Sequence, residues 1–219
     1  MLCNSPVDIL PNINVDYLDD ILLDGLYLKL LPASTYYDLD RTHLRVWANT
    51  RARYGFPTVE LIQWLKDKFG GRFAIELGAG AGDLGYHLGI IQTDSFMQHR
   101  PELKAFYEAI RQGITHPPDD VYEYDALEAV EGLRPKVPVA SWLTQLVSAE
   151  ECKPETHGSV YGADEEAIIA KVEMYIHIGN EGSHAQKKAL ALPHEEFHFP
   201  WLVSRSSDWS KNVIYVWGK

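Results

Sequence analysis

Between Phe73 and Ser95 the chain reads FAIELGAGAGDLGYHLGIIQTDS, with five glycines (Gly78, Gly80, Gly82, Gly85 and Gly89) lying between the carboxylates of Glu76 and Asp94. Bare backbone of this density constrains the fold more than any other stretch. Glycine enters left-handed conformations without steric cost, and a loop without side chains lets N–H groups approach a ligand closely. A glycine-rich turn between a strand and a helix, followed by an acid at the end of the next strand, suits a ligand that contains a nucleoside. The loop meets the polar end and the acid accepts the ribose hydroxyls. Asp94, 14 residues after Gly80, stands where that acid is expected.

The surrounding periodicity supplies the setting. Strands are predicted over 72–77, 90–94, 121–124, 137–142, 174–178, 197–203 and 213–217. Helices are predicted over 83–88, from Pro101 through Gln112, and over 126–133, 164–172 and 184–190. Strands alternating with helices imply βαβ units and a parallel sheet covered on both faces, an α/β fold. The last two strands are expected to close the sheet as an antiparallel hairpin. Pro138 is awkward in a central strand because it has no N–H to donate. Ahead of these units, TVELIQWLKDKF (58–69) has apolar residues at 59, 61, 62, 65 and 69, lysines in its last turn and Gly70-Gly71 as its stop. That is a helix signature. It divides the chain into an N-terminal extension (1–70) and a Rossmann-like domain (71–219). The extension is read as irregular up to Phe56. Its Tyr36, Tyr37, Arg41, Trp47 and Tyr54 are expected either to cover the ligand as a lid or to pack against the sheet.

Gly80, Gly82 and Gly85 spell G-x-G-x-x-G, a dinucleotide pattern. Glu76 through Gly82, however, resembles the E/D-x-G-x-G-x-G signature of the class I S-adenosylmethionine-dependent methyltransferases. Glu76 separates the two readings. A pyrophosphate site has no use for a carboxylate at the mouth of its loop, whereas the cationic amino acid end of S-adenosylmethionine does. The resemblance extends over roughly 72–219. It implies a Rossmann-like seven-stranded sheet of order 3-2-1-4-5-7-6 with an antiparallel last strand, helices on both faces, and S-adenosylmethionine as cofactor. It further implies that Glu76, Gly78, Gly80 and Gly82 meet the donor at the loop, Asp94 and Ser95 at the ribose, Asp125 and Ala126 at the adenine, and Ser141 and Trp142 at the methyl-bearing end. Asp125 is also a natural N-cap for the helix at Ala126. Ser-Trp-Leu-Thr follows the fourth strand in place of Asp/Asn-Pro-Pro-Tyr, so the resemblance does not extend to the DNA-amino methyltransferases.

The leading expectation is methyl transfer to a small molecule or protein. The alternatives are a non-catalytic protein of the same fold that binds an adenosyl ligand as a sensor, and an NAD-dependent oxidoreductase. Ligands of open α/β sheets sit at the carboxyl ends of the strands. This favours Trp142, Thr144, His157, Asn180 and His184 near the acceptor, with His184 and Asn180 as catalytic candidates. An imidazole near pKa 6.5 can take a proton from an acceptor. His194 to His198 matches the zinc motif H-E-x-x-H, but Pro193 and Pro200 leave room for barely two helical turns, and the segment is read as leading into a strand. No metal is expected. A net charge of −11, without any basic run, opposes nucleic acid as a partner. Only two cysteines, Cys3 and Cys152, and no signal-peptide features point to the cytoplasm. No apolar run is long enough to span a bilayer.

Overall fold

The computed structural model describes residues 10–153 and 156–218. Seven strands form one sheet: β1 (Ala74–Leu77), β2 (Ile91–Asp94), β3 (Val121–Glu123), β4 (Val137–Ser141), β5 (Met174–Asn180), β6 (Glu195–Phe197) and β7 (Asn212–Gly218). Their spatial order is 3-2-1-4-5-7-6. β1 to β5 run parallel, and β7 is antiparallel to both β5 and β6. The strand order and the direction of the last strand are those expected. Pro138 pairs with Ile75 of β1, while the ladder with β5 begins one residue later at Val139. The missing donor therefore falls at the start of that ladder.

Nine helices accompany the sheet among the described residues: α1 (Tyr17–Leu22), α2 (Ala33–Tyr37), α3 (Arg41–Thr50), α4 (Val59–Phe69), α5 (Asp83–Leu88), α6 (Pro101–Ala109), α7 (Ala126–Leu133), α8 (Glu165–Ile169) and α9 (Glu181–His184). Alternation along the strands builds two cores. Val137, Val139, Ile176, Ile214 and Val216 pack against α4 and α5 on one face. Ile75, Leu77, Ala140, Tyr175, Tyr215 and Trp217 pack against α7 and α8 on the other. The ends of α4 follow its sequence signals. Thr58 accepts from Leu61 N–H at 3.2 Å as N-cap, and Gly70 closes the last turn at φ +57°.

Three expectations need correction. The extension is not irregular up to Phe56, since α1, α2 and α3 precede that residue and pack with Phe56, Val203 and Trp209 in a third core around Trp47 and Tyr36. The strand expected over 197–203 is split. Only Glu195–Phe197 joins the sheet, while Val203–Ser204 pairs antiparallel with Gly55–Phe56 of the extension. Pro200 interrupts the run, and the apolar residues after it find partners in the third core. The helix expected over 184–190 breaks into α9 and a 3₁₀ turn at Lys188–Ala191, because Asn180 caps the chain four residues earlier than anticipated. Of the two cysteines, Cys3 lies outside the described residues. No helix among the described residues is long and apolar enough to cross a membrane.

Candidate functional site

The turn after β1 is built from backbone that only glycine adopts freely. Gly78, Gly80 and Gly82 have φ of +65°, +56° and +77°. A Cβ on Gly78 would come within 2.4 Å of Leu143 Cδ1, and one on Gly80 within 3.1 Å of Thr115 Cγ2. Asp94, at the end of β2, holds this loop. One carboxylate oxygen accepts from Gly80 N–H at 2.8 Å and the other from Phe96 N–H at 2.7 Å. Burial pushes the Asp94 carboxyl up, and these two N–H donors oppose the shift. A carboxylate has about four acceptor positions, so capacity remains for ribose hydroxyls.

Glu76 lies lower on β1, with its Oε2 accepting from Gly85 N–H at 2.8 Å. Burial pushes its carboxyl well above the usual range; the Gly85 N–H opposes this, and the nearby Asp83 and Asp94 charges add to it. Gly85 is required by the same contact, because a Cβ there would lie 2.7 Å from Glu76 Oε2 and 2.4 Å from Gln92 Cγ. Asp83, at the first position of α5, is tied to the extension by Leu28 N–H (2.7 Å) and by the Arg53 guanidinium.

These groups face a cleft of about 560 Å³ at the carboxyl ends of β1, β2 and β4. Nine of the ten residues expected to meet the donor line it: Glu76, Gly78, Gly80, Asp94, Ser95, Asp125, Ala126, Ser141 and Trp142. Gly82 does not, and stands behind the loop against Gln92 and Val121. Asp125 caps α7 with Oδ1 on Leu127 N–H at 2.9 Å and reaches the cleft from the same position. Trp142, one residue past β4, adopts φ +59° with its N–H on Ile178 O at 2.8 Å. Left-handed backbone is unusual for a bulky side chain, and such strain gathers where function requires it.

Around Trp142 stand the residues expected near an acceptor. Thr144, His157 and His184 line the cleft; Asn180 does not, its side chain being committed to Gly182 N–H, Asp208 O and Asn212 Oδ1. The His184 ring meets Trp142 edge-on at 5.1 Å. Its Nδ1 lies 3.0 Å from both the N–H and the carbonyl of Asn180, which leaves Nε2 as the ring nitrogen without a hydrogen bond. Burial chiefly, with His177 and Lys187 behind it, holds His184 well below the usual imidazole range. Behind the cleft, Lys187 Nζ donates to Leu143 O at 2.8 Å and to the Glu165 carboxylate, while Tyr175 OH donates to that carboxylate at 2.8 Å. This buried set braces the turn that carries Leu143 over Gly78.

Of the aromatic residues expected as a lid, Tyr54 lines the cleft, while Tyr36 and Trp47 are buried in the third core. The pairing of Gly55–Phe56 with Val203–Ser204 brings Tyr54 and Arg205 over the end of β4. Arg53, Gln98 and Arg205 were not legible as donor or acceptor residues, since no local motif marks them. His194 and His198 sit at either end of extended β6, away from the cleft, and pair with Glu196 (3.0 Å) and Glu181 (3.6 Å). They are not one helical turn apart.

No family model matches the sequence, and no curated protein matches it either. Among solved structures, protein 1320 of Thermoplasma acidophilum is similar at 16% identity and TM-score 0.33, covering 71% of this chain and 83% of that one. A protein of Pyrococcus horikoshii described as a "putative RNA methyltransferase" is similar at 14% identity and TM-score 0.35, covering 72% of this chain and 82% of that one. These likenesses are too distant to carry a substrate or a residue role. Strand order, the antiparallel seventh strand and helices on both faces define the architecture: the chain has the fold of the class I methyltransferases.

Proposed function

We propose that the cleft binds S-adenosylmethionine and that the chain transfers its methyl group to a small molecule. The observation that carries this reading is that nine of the ten residues implied by the family resemblance line one cleft, beside a glycine loop whose positive φ values disfavour side chains. The loop N–H groups and Asp94 would hold the adenosine part, Asp125 the adenine edge, and Glu76 the ammonium end. A cationic ligand would favour the ionised form of Glu76, which burial alone disfavours. The bound donor supplies an electrophilic methyl group on a sulfonium, and Trp142 and Tyr54 offer faces that stabilise such a cation. An acceptor lone pair would form the new bond to carbon while the carbon–sulfur pair would return to sulfur. Where the acceptor carries a proton, the His184 imidazole, on the cleft wall beside Trp142, would take it.

A second reading, an adenosyl sensor without turnover, draws on one observation. An imidazole held well below its usual range is a weak base. Calorimetric titration with S-adenosylmethionine, adenosine and NAD tests the binding claim. S-adenosylmethionine and adenosine should bind, and Glu76→Gln should weaken the former much more than the latter, because adenosine lacks the ammonium group. If Glu76→Gln instead tightens NAD while S-adenosylmethionine never binds, the dinucleotide reading replaces this one. Label transfer from S-adenosylmethionine to a small-molecule extract separates enzyme from sensor.

A further inference from the structure

Arg205 enters the cleft from the segment after Val203–Ser204, with its backbone N–H on Tyr54 O at 3.0 Å. Its guanidinium carbon lies 3.6 Å from the Tyr54 ring centroid and 5.8 Å from that of Trp142. Cation–π attraction holds the guanidinium over the Tyr54 ring on the cleft wall. Among the described residues no carboxylate pairs with it, and its Nη1 is buried without a hydrogen-bond partner. Arg53, on the same cleft, shows the ordinary arrangement, with Asp83 neutralising it. In a chain with 31 acidic residues against 20 basic ones, a buried guanidinium nitrogen without an acid is conspicuous. Leaving such a donor unsatisfied costs about 1–3 kcal/mol, more for a charged group, unless a ligand supplies the acceptor.

Charge points the same way. On the donor reading above, a sulfonium approaches Trp142, and Arg205 already places a cation beside the same ring. An anion between them would relieve the repulsion and bind both. We infer that Arg205 reads a carboxylate or phosphate group on a small-molecule methyl acceptor, through the paired N–H donors of its planar fork. Arg205 lines the cleft itself, and a net charge of −11 opposes the backbone of a nucleic acid as the source of the anion. The inference rests on the cleft being the donor site.

The test uses the full chain and calorimetry in successive steps. S-adenosylhomocysteine is titrated first, then benzoate and phenyl phosphate into the loaded protein, and finally both into Arg205→Gln and Arg205→Lys. Thermal unfolding checks that each variant is folded, and Arg205→Lys keeps the charge if the glutamine variant does not fold. We expect S-adenosylhomocysteine to bind wild type and Arg205→Gln alike. At least one of the two anions should bind the loaded wild type, weaken about tenfold or more in Arg205→Gln, and fall between in Arg205→Lys. Absence of S-adenosylhomocysteine binding to wild type removes the donor reading and this inference with it. Three results overturn the inference alone: neither anion binds the loaded protein, the glutamine variant keeps the anion affinity, or a short RNA displaces the anion. A tenfold loss of S-adenosylhomocysteine itself in Arg205→Gln also overturns it, by assigning Arg205 to the donor's own carboxylate.

Discussion

Gly80 is the residue at which backbone conformation and ligand access meet. At φ +56°, with a Cβ position 3.1 Å from Thr115, it has neither the conformational freedom nor the space for a side chain. Gly80→Val should cost at least the roughly 1–2 kcal/mol of a left-handed L-residue and displace the N–H that Asp94 holds. A folded variant that has lost adenosine binding by tenfold or more is the expected result; unchanged affinity would remove the loop from the site. His177 tests burial in a different way. It is fully buried, and burial chiefly pushes its imidazole down to about 4 from 6.5. A histidine depressed on folding is neutral in the folded state and protonated in the unfolded state between those two values. Stability is therefore complete above pH 6.5 and lost as pH falls toward 4, with about 3 kcal/mol as the ceiling. Glu76, raised on folding, acts in the opposite sense: its contribution is present at low pH and lost as pH rises through its folded value. Denaturant unfolding from pH 7 to 4 should accordingly show a shallower decline in His177→Gln than in wild type. Equal slopes would mean that the imidazole is not held neutral.

The N-terminus of α7 is an element whose cap and ligand roles can be separated. Asp125 Oδ1 caps Leu127, which leaves Oδ2 clear of the cap. Asp125→Ala should lower stability by about 1 kcal/mol through the lost cap. Asp125→Asn keeps a cap of equal quality but turns the cleft-facing oxygen into an amide donor. If the residue meets the adenine amino group, the asparagine variant should melt like wild type, bind adenosine several-fold more weakly, and gain affinity for inosine, whose O6 accepts. An asparagine variant that binds both nucleosides like wild type would leave Asp125 as a cap alone.

For the whole molecule, the third core decides whether the extension is an appendage or part of the fold. Trp47 is fully buried, stacks on Phe56 at 6.3 Å and donates Nε1–H to Asp19 at 2.7 Å. Phe56 in turn pairs with Val203, two residues from Arg205. Trp47→Ala should cost about 3–5 kcal/mol, a large share of the 5–15 kcal/mol that stabilises a typical domain. The melting temperature should fall as a single transition, with Arg205 and Tyr54 displaced from the cleft in the same step. Two separate transitions would mean that the extension folds independently of the sheet.

What was legible in the chain follows from short-range physics. The glycine loop, α5 at Asp83–Leu88, α7 at Ala126–Leu133 and the two ends of α4 are set by conformational freedom, capping and apolar period within a few residues, and each appears where those signals put it. The parallel sheet follows from alternation, because apolar strands on both faces of a layer need helices above and below. Long-range partners were not legible. Val203–Ser204 reads as the end of a sheet strand, yet it pairs with Gly55–Phe56 some 150 residues earlier, because the third core buries Phe56, Val203 and Trp209 together. That pairing alone brings Tyr54 and Arg205 to the end of β4. Asn180 illustrates the reverse case: as a polar residue at a strand end it looked available, but Asn212 of the antiparallel partner and Asp208 ahead of it consume its amide. Sequence determined the loop, the alternation and the caps because these depend on neighbours in the chain. Tertiary structure decided which side chains reach the cleft, because that depends on which distant segments share a buried surface.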